Sequence, residues 1–454
     1  MTSSVSVDIG WLRSQVANEL SREGHQVKNL PDRRELARKL AIEQLQKLAE
    51  ERVIAGERPL GAMEERELAK QVLDALFGLG RLQTLVDNPE IENIDVNGCD
   101  RVWVTFADGT KMLSQPITAS DDELVEILRS AAARFGISER RFDTAHPDLD
   151  LRLPDGSRLS ALMSVSSRPL VSIRRHRYLD LALEDLVRLG TVDNAVADLL
   201  AAAVRARKNI VIAGAMNSGK TTLVRALASE IAAHERVVTI EQAFELALDE
   251  MADRHPDLVA LEAREANAEG EGAITMAKLV RRALRMNADR VIVGEVLGDE
   301  VLPMLNAMSQ GRSGSMCTIH ADSSEGVFRR IASYAIQAPE RLPLEATNLL
   351  IAGALHFVVF IDLVEQPSDN GQNEPRVSRP RTQDAEEVFA RPPRKRLVTS
   401  VREIVDAEGM QVISNEIFRA TGDGRTSSVA PLRSRTLEEL RRHGYHPRTS
   451  NEIR

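Results

Sequence analysis

The sequence predicts an α/β fold: a mostly parallel sheet covered by helices, preceded by a small α+β domain and an N-terminal helical region. Three observations carry this. Apolar strand-like runs alternate with helical segments between residues 193 and 365, the texture of a parallel sheet with helices on both faces. Short strands broken by Gly, Asp and Pro fill residues 89–180, as expected of a small α+β domain. Residues 1–88 are heavily charged with helical apolar spacing.

In chain order, "DRRELARKLAIEQLQKLAEERVIAG" (Asp32 to Gly56) spaces Leu36, Leu40, Ile42, Leu45 and Leu48 close to the helical period, with charges elsewhere. It reads as a packing or docking module without chemistry. The next region carries "IENIDVNG", "RVWVTF", "LDLRLPDGSRLSALM" and "PLVSIRR" as strands, interrupted by a helix over Asp121–Phe135. The third region supplies strands "NIVIAG", "RVVTIE", "DLVALEA", "RVIVGE", "SMCTIH" and "FVVFID", with helices such as "TTLVRALASEIAAH" and "AITMAKLVRRALRM" between them. Residues 366–395, rich in Pro, Asn, Asp and Arg, read as a flexible linker, and 396–454 as a terminal hairpin and polar tail.

Composition narrows the function classes. The chain has 454 residues, 43% hydrophobic and 28% charged, which suits a globular protein of two or three domains. Its longest nearly apolar run, Leu349–Ile361, contains a histidine and is short of the roughly 20 residues that span a bilayer. The first residues lack the basic start and apolar block of a signal peptide. Two cysteines, Cys99 and Cys317, predict free thiols and a cytoplasmic setting. A net charge of −9 and 3% aromatics argue against nucleic acid as the main partner.

"GAMNSGKT" (Gly214 to Thr221) fits G-x-x-x-x-G-K-[ST]. Glycines let backbone N–H groups wrap phosphates, and the following helix offers its positive end. Lys220 can reach the β and γ phosphates, and the Thr221 hydroxyl can ligate magnesium. The motif lies between a predicted strand and a predicted helix, as this chemistry requires. Ligands of open parallel sheets bind at the carboxyl ends of strands, and three other strand ends present Glu241, Glu295 and His320. A carboxylate beside the terminal phosphate can polarise water, which suits Glu295. A second can hold magnesium through its waters or share the base role, which suits Glu241, with Glu245 one turn on. A histidine there can donate a hydrogen bond and report hydrolysis, which suits His320. Developing negative charge also calls for cations, and Arg158 and Arg174 of the small domain are candidates.

In this order and spacing, "GAMNSGKTT", "VVTIEQAFEL", "RMNADRVIVGEV" and "GSMCTIHA" resemble the four signature boxes of the secretion-superfamily ATPases, which drive type II and type IV secretion and pilus assembly. Upstream, "VNGCDRVWV", "RRFDTAHPDLDLRLPDGSRL" and "VSIRR" resemble the branch serving tight-adherence (Flp-type) pili. The resemblance implies a RecA-like P-loop domain and a homohexamer that binds ATP and Mg2+. Nucleotide would lie on Gly214, Asn217, Ser218, Gly219, Lys220, Thr221 and Thr222. Magnesium would lie on Thr221 and Glu241. Glu295 would be the Walker B glutamate, Glu241 and Glu245 the acidic box, and His320 the histidine box, with Arg158 and Arg174 approaching the γ-phosphate. The implied partner is an inner-membrane platform protein, met at the cytoplasmic face. Three departures stand out: Ala215-Met216-Asn217 where relatives often carry Gly-Thr-Gly, Leu297 where an arginine commonly follows Gly-Glu-Val, and Arg312 in place of a histidine. A RecA-like nucleic-acid translocase, with "RRHR" (Arg174 to Arg177) and "RPPRKR" as contact patches, and a nucleotide-gated scaffold without turnover are the rival readings.

Overall fold

The computed structural model describes residues 9–23, 30–58, 60–106, 109–135, 141–175, 181–264, 266, 270–309, 313–365, 388–389, 394–421 and 425–447. The chain divides into two compact units, Met1–Arg177 with Glu374–Arg391, and Tyr178–Asn373 with Pro392–Arg454.

In the first unit, helices α1 (Ile9–Glu23), α2 (Leu30–Ile54) and α3 (Ala62–Phe77) share a small core of Leu12, Val16, Leu40, Leu45 and Val72. Ile42 departs from the predicted stripe and is 37% exposed. Two residues beyond Leu40, it is turned about 200° around the helix from that face. The α+β core follows: α4 (Arg81–Asp87), β1 (Ile91–Asn97), β2 (Val102–Phe106), β3 (Lys111–Ser114), α5 (Asp121–Phe135), β4 (Asp148–Arg152), β5 (Arg158–Leu162) and β6 (Leu170–Arg174). With β13 (Val388–Phe389) at one edge they form an antiparallel sheet in the order β13-β3-β2-β1-β6-β5-β4. Leu82 and Val86 of α4 and Leu124 and Leu128 of α5 pack with Ile94, Leu149, Leu159 and Ile173. Helix α4 thus lies in this core, although its sequence reads as part of the N-terminal helical region. Strand alternation buries Leu159 and Ile173 and leaves Ser160 and Ser172 exposed.

The second unit runs α6 (Leu183–Arg188), α7 (Asn194–Arg205), β7 (Ile210–Gly214), α8 (Lys220–Ala228), β8 (Val237–Glu241), β9 (Leu258–Glu262), α9 (Met276–Ala283), β10 (Arg290–Val296), α10 (Val301–Ser309), β11 (Met316–His320), α11 (Gly326–Gln337), α12 (Leu344–Ala354) and β12 (Phe357–Glu365). All six predicted strands form. Of the predicted linker, residues 366–387 and 390–393 lie outside the described residues, and the rest is strand rather than loop: Val388–Phe389 is β13, paired with β3, and Arg394 already opens β14. Then come β14 (Arg394–Glu408), β15 (Gln411–Ala420), β16 (Thr426–Ser428) and α13 (Ser434–Arg441). The sheet order is β16-β15-β14-β12-β7-β11-β10-β8-β9. Strands β12 to β9 in that list pair in parallel, and β14 to β16 extend them antiparallel. Both faces are covered. Ile210 and Ile212 of β7 pack with Leu199 of α7 and Leu223 of α8, whereas Val211 and Ala213 pack with Val280, Leu305 and Ile351 of α9, α10 and α12. The predicted terminal hairpin is therefore an extension of the main sheet, and the predicted polar tail contains α13, whose Leu440 is fully buried in the first of these cores.

At the amino end of β7, Asn209 is fully buried and uses its whole side chain. Its Oδ1 accepts from the Gly314 and Ser315 N–H groups at 2.8 and 3.0 Å. Its Nδ2 donates to the Met308 and Ala354 carbonyls at 3.0 and 2.6 Å. The Asn209 N–H donates to His356 Nδ1 at 3.1 Å. Burial, reinforced by the Lys208 charge, depresses the His356 pKa to about 4. A histidine depressed in the folded state binds fewer protons there than in the unfolded chain, so stability is lost as pH falls from about 6.5 to about 4. Replacing His356 with asparagine keeps an acceptor near Nδ1 without a titrating ring. Urea unfolding at successive pH values is expected to show the wild type losing stability relative to His356→Asn by about 3 kcal/mol across this window.

Candidate active site

The phosphate loop joins the end of β7 to the start of α8. Gly219 has φ 98° and Asn217 φ 61°. Asparagine is among the few side chains that accept this left-handed region, so the departure from Gly-Thr-Gly is accommodated at its most demanding position. Gly214 has no room for a side chain: a Cβ there would lie 2.2 Å from the Ile361 carbonyl oxygen and 2.5 Å from Ser218 Oγ. Ser218 Oγ is buried without a hydrogen-bond partner, a polar group inside the loop of the kind a bound oxyanion satisfies. Lys220 is 7% exposed. Its Nζ donates to the Gly214 and Ala215 carbonyls at 3.3 and 2.9 Å.

Parallel pairing puts the other candidates on the same edge. His320 stands opposite Gly214 in the ladder, and β10 and β8 follow beyond β11. His320 Nδ1 lies 3.1 Å from Lys220 Nζ, and its Nε2 lies 2.7 Å from Glu295 Oε1. An ammonium is a donor only, so Nδ1 accepts, and the ring proton sits on Nε2 and is donated to Glu295. The lysine, the histidine and the glutamate form one continuous chain.

A β-bulge aims Glu295. The register between β10 and β11 shifts between Val293 and Val296, and the Thr318 hydroxyl donates to the Gly294 carbonyl at 2.5 Å. Bulges of this kind bend a strand and re-aim a side chain beside a site. Gly294 is also where a Cβ would come within 2.8 Å of Glu241 Cγ. The residue that stands where many phosphate-handling strands end on aspartate is thus a glycine because Glu241 packs over it.

Glu241 is 3% exposed. Its Oε2 accepts from the Glu245 and Leu246 N–H groups, both at 2.7 Å. Burial raises its pKa to about 7 despite these two bonds. Arg225 of α8, buried to 3% exposure, secures the same loop: its Nε donates to the Leu246 carbonyl at 2.7 Å, and its guanidinium also meets the Glu245 carbonyl. Glu300 closes the turn after β10, accepting from the Leu297 and Gly298 N–H groups. Leu297 itself is 46% exposed. Arg312 lies outside the described residues.

Arg158 and Arg174 belong to the other unit, where they stand directly opposite one another on β5 and β6. Arg152 of β4 faces Arg158 in the same register, so three arginines form a row across adjacent strands. Arg175 serves differently, donating to the Asn88 carbonyl and lying 3.7 Å from Asp155. Sequence reasoning did not single out Arg152, Arg225 or Arg396. Arg396, read only within a basic patch, donates through Nε to the Asn217 carbonyl at 3.1 Å. Register on β4 is the one signal that could have found Arg152. Arg225 carries none, because its partners lie across a loop.

A family model described as "Type II/IV secretion system protein" matches residues 77–437. The chain belongs to this family. The four boxes read from the sequence therefore identified the family correctly. Among curated relatives, a putative conjugal transfer protein of Mycobacterium tuberculosis is 35% identical over 295 residues, covering 63% of this chain and 80% of that one. The type IV secretion system protein PtlH of Bordetella pertussis is 30% identical over 312 residues, covering 63% and 89%. Among solved structures, the Legionella pneumophila ATPase DotB matches at 17% identity with a TM-score of 0.49, over 73% of this chain and 81% of that one.

Proposed function

We propose that the chain is an ATP-hydrolysing motor that energises pilus assembly or protein secretion across the cell envelope. The observation that carries this reading is the chain Lys220–His320–Glu295 beside a phosphate loop with an unpartnered buried hydroxyl at Ser218. Gly214, Asn217, Ser218, Gly219, Lys220, Thr221 and Thr222 bind the nucleotide. Glu295 is the base, its carboxylate oriented by the Nε2 proton of His320. Lys220 leaves His320 when it turns to phosphate, so the histidine registers whether the loop is occupied. Thr221 and Glu241 would hold magnesium. A hydroxyl and a carboxylate are the hard oxygen donors that ion takes, and it would neutralise charge on the phosphates.

Arg158 and Arg174 act on charge that develops during hydrolysis. Alanine at either position is expected to lower turnover about tenfold or more while nucleotide affinity changes little, read from steady-state rates beside equilibrium binding. Unchanged kinetics in both would make them structural.

The working form is a homohexamer acting on an inner-membrane platform protein from the cytoplasmic face. Family membership supports this. Among the described residues no helix is long and apolar enough to cross a membrane. The upstream motifs favour the tight-adherence branch. Phosphate release by the full chain, with and without membranes of its own cell, tests the motor reading. Binding without turnover would favour a nucleotide-gated scaffold. Stimulation by DNA that falls steeply with salt would favour a nucleic-acid translocase.

A further inference from the structure

Arg396 is the third residue of β14 and stands opposite Leu363 of β12, 179 residues from its partner Asn217. Its stem runs along the loop: a Cβ on Gly219 would lie 3.1 Å from Arg396 Cδ and 3.8 Å from Nε. Arg396 thus bonds Asn217 and lies over Gly219, the two loop residues with left-handed φ, at 61° and 98°. Holding the Asn217 carbonyl fixes the peptide plane that follows it, and so the direction in which the loop offers its N–H groups. The support is stiff. Strand β14 pairs with β12 from Phe357 to Glu365, and β12 pairs in turn with β7, the strand that enters the loop.

We propose that Arg396 is a positioning residue for nucleotide binding, which holds the Asn217–Gly219 arc in the shape that receives the β-phosphate of a nucleoside di- or triphosphate. This rests on the ATP-binding reading above. Because the arc serves a phosphate common to both nucleotides, ADP and ATP should depend on Arg396 equally. The contact is made by Nε within the stem, and lysine has a methylene at that point. Lysine therefore keeps the charge and loses the bond.

The test is titration calorimetry of the full chain with ADP and with ATP, beside steady-state hydrolysis. Arg396→Ala is expected to weaken both nucleotides about tenfold and by the same factor, as for loss of one charge-assisted hydrogen bond. The kinetic loss should fall on KM rather than kcat. Arg396→Lys should lose most of the affinity too, and it carries the test if the alanine variant does not fold. Unchanged binding, a loss confined to ATP, or wild-type affinity in Arg396→Lys would each overturn the proposal. Lys220→Ala is measured in parallel. If that variant also binds like the wild type, the nucleotide reading itself fails; if it alone loses binding, only the role of Arg396 is removed.

Discussion

Replacing Glu295 with glutamine is expected to lower the rate of ATP hydrolysis by about 100-fold or more while leaving nucleotide affinity within a few-fold of the wild type. The side chains are nearly isosteric. Glutamine retains an oxygen that can accept the His320 Nε2 proton, the bond made at 2.7 Å in the native protein. The Lys220 contact at 3.1 Å involves the other ring nitrogen and is not touched. What disappears is the negative charge able to take a proton from water, and general-base catalysis contributes about 100- to 10,000-fold. Single-turnover phosphate release, with binding measured on the same preparation, separates the two effects. A near wild-type rate would remove Glu295 from the chemistry and leave it as a partner of His320.

Placing an aspartate at Gly294, where many phosphate-handling proteins carry one, is expected to damage this protein. The new Cβ would come within 2.8 Å of Glu241 Cγ. Accommodating it means moving Glu241, which loses its bonds to the Glu245 and Leu246 N–H groups. Overpacking of this kind costs about 1–3 kcal/mol, and a second carboxylate beside a buried one adds repulsion. Urea unfolding should show Gly294→Asp less stable by at least about 2 kcal/mol, with turnover falling as the Glu241 loop shifts. Gly294→Ala introduces the clash without the charge and separates the two causes. Unaltered stability with normal turnover in Gly294→Asp would mean that Glu241 does not depend on the space at Gly294.

Much of the site was legible because its residues fall at positions defined by local pattern. Strand β7 is apolar throughout, Lys220 opens the helix that follows it, and parallel strands all end at one edge. Those facts place Glu241, Glu295 and His320 at the same sheet edge as the loop. The boundaries were harder to read. Helix α4 has the same apolar spacing whether it packs on helices or on a sheet, and only its contacts with Ile94 and Leu124 assign it. The terminal hairpin looks the same whether it stands alone or continues a sheet.

The sequence by itself determined the parallel sheet, the phosphate loop and the residue types at the strand ends, because period, motif and strand polarity are properties of short stretches of chain. Tertiary structure alone decided what those groups do to one another. It set the bulge that aims Glu295, the fit of Glu241 over Gly294 and the lysine–histidine–glutamate chain. It also set the hold of Arg396 on a loop 179 residues away. Contacts between residues so distant leave no periodic trace, since they depend on how strands stack side by side rather than on what precedes or follows each residue.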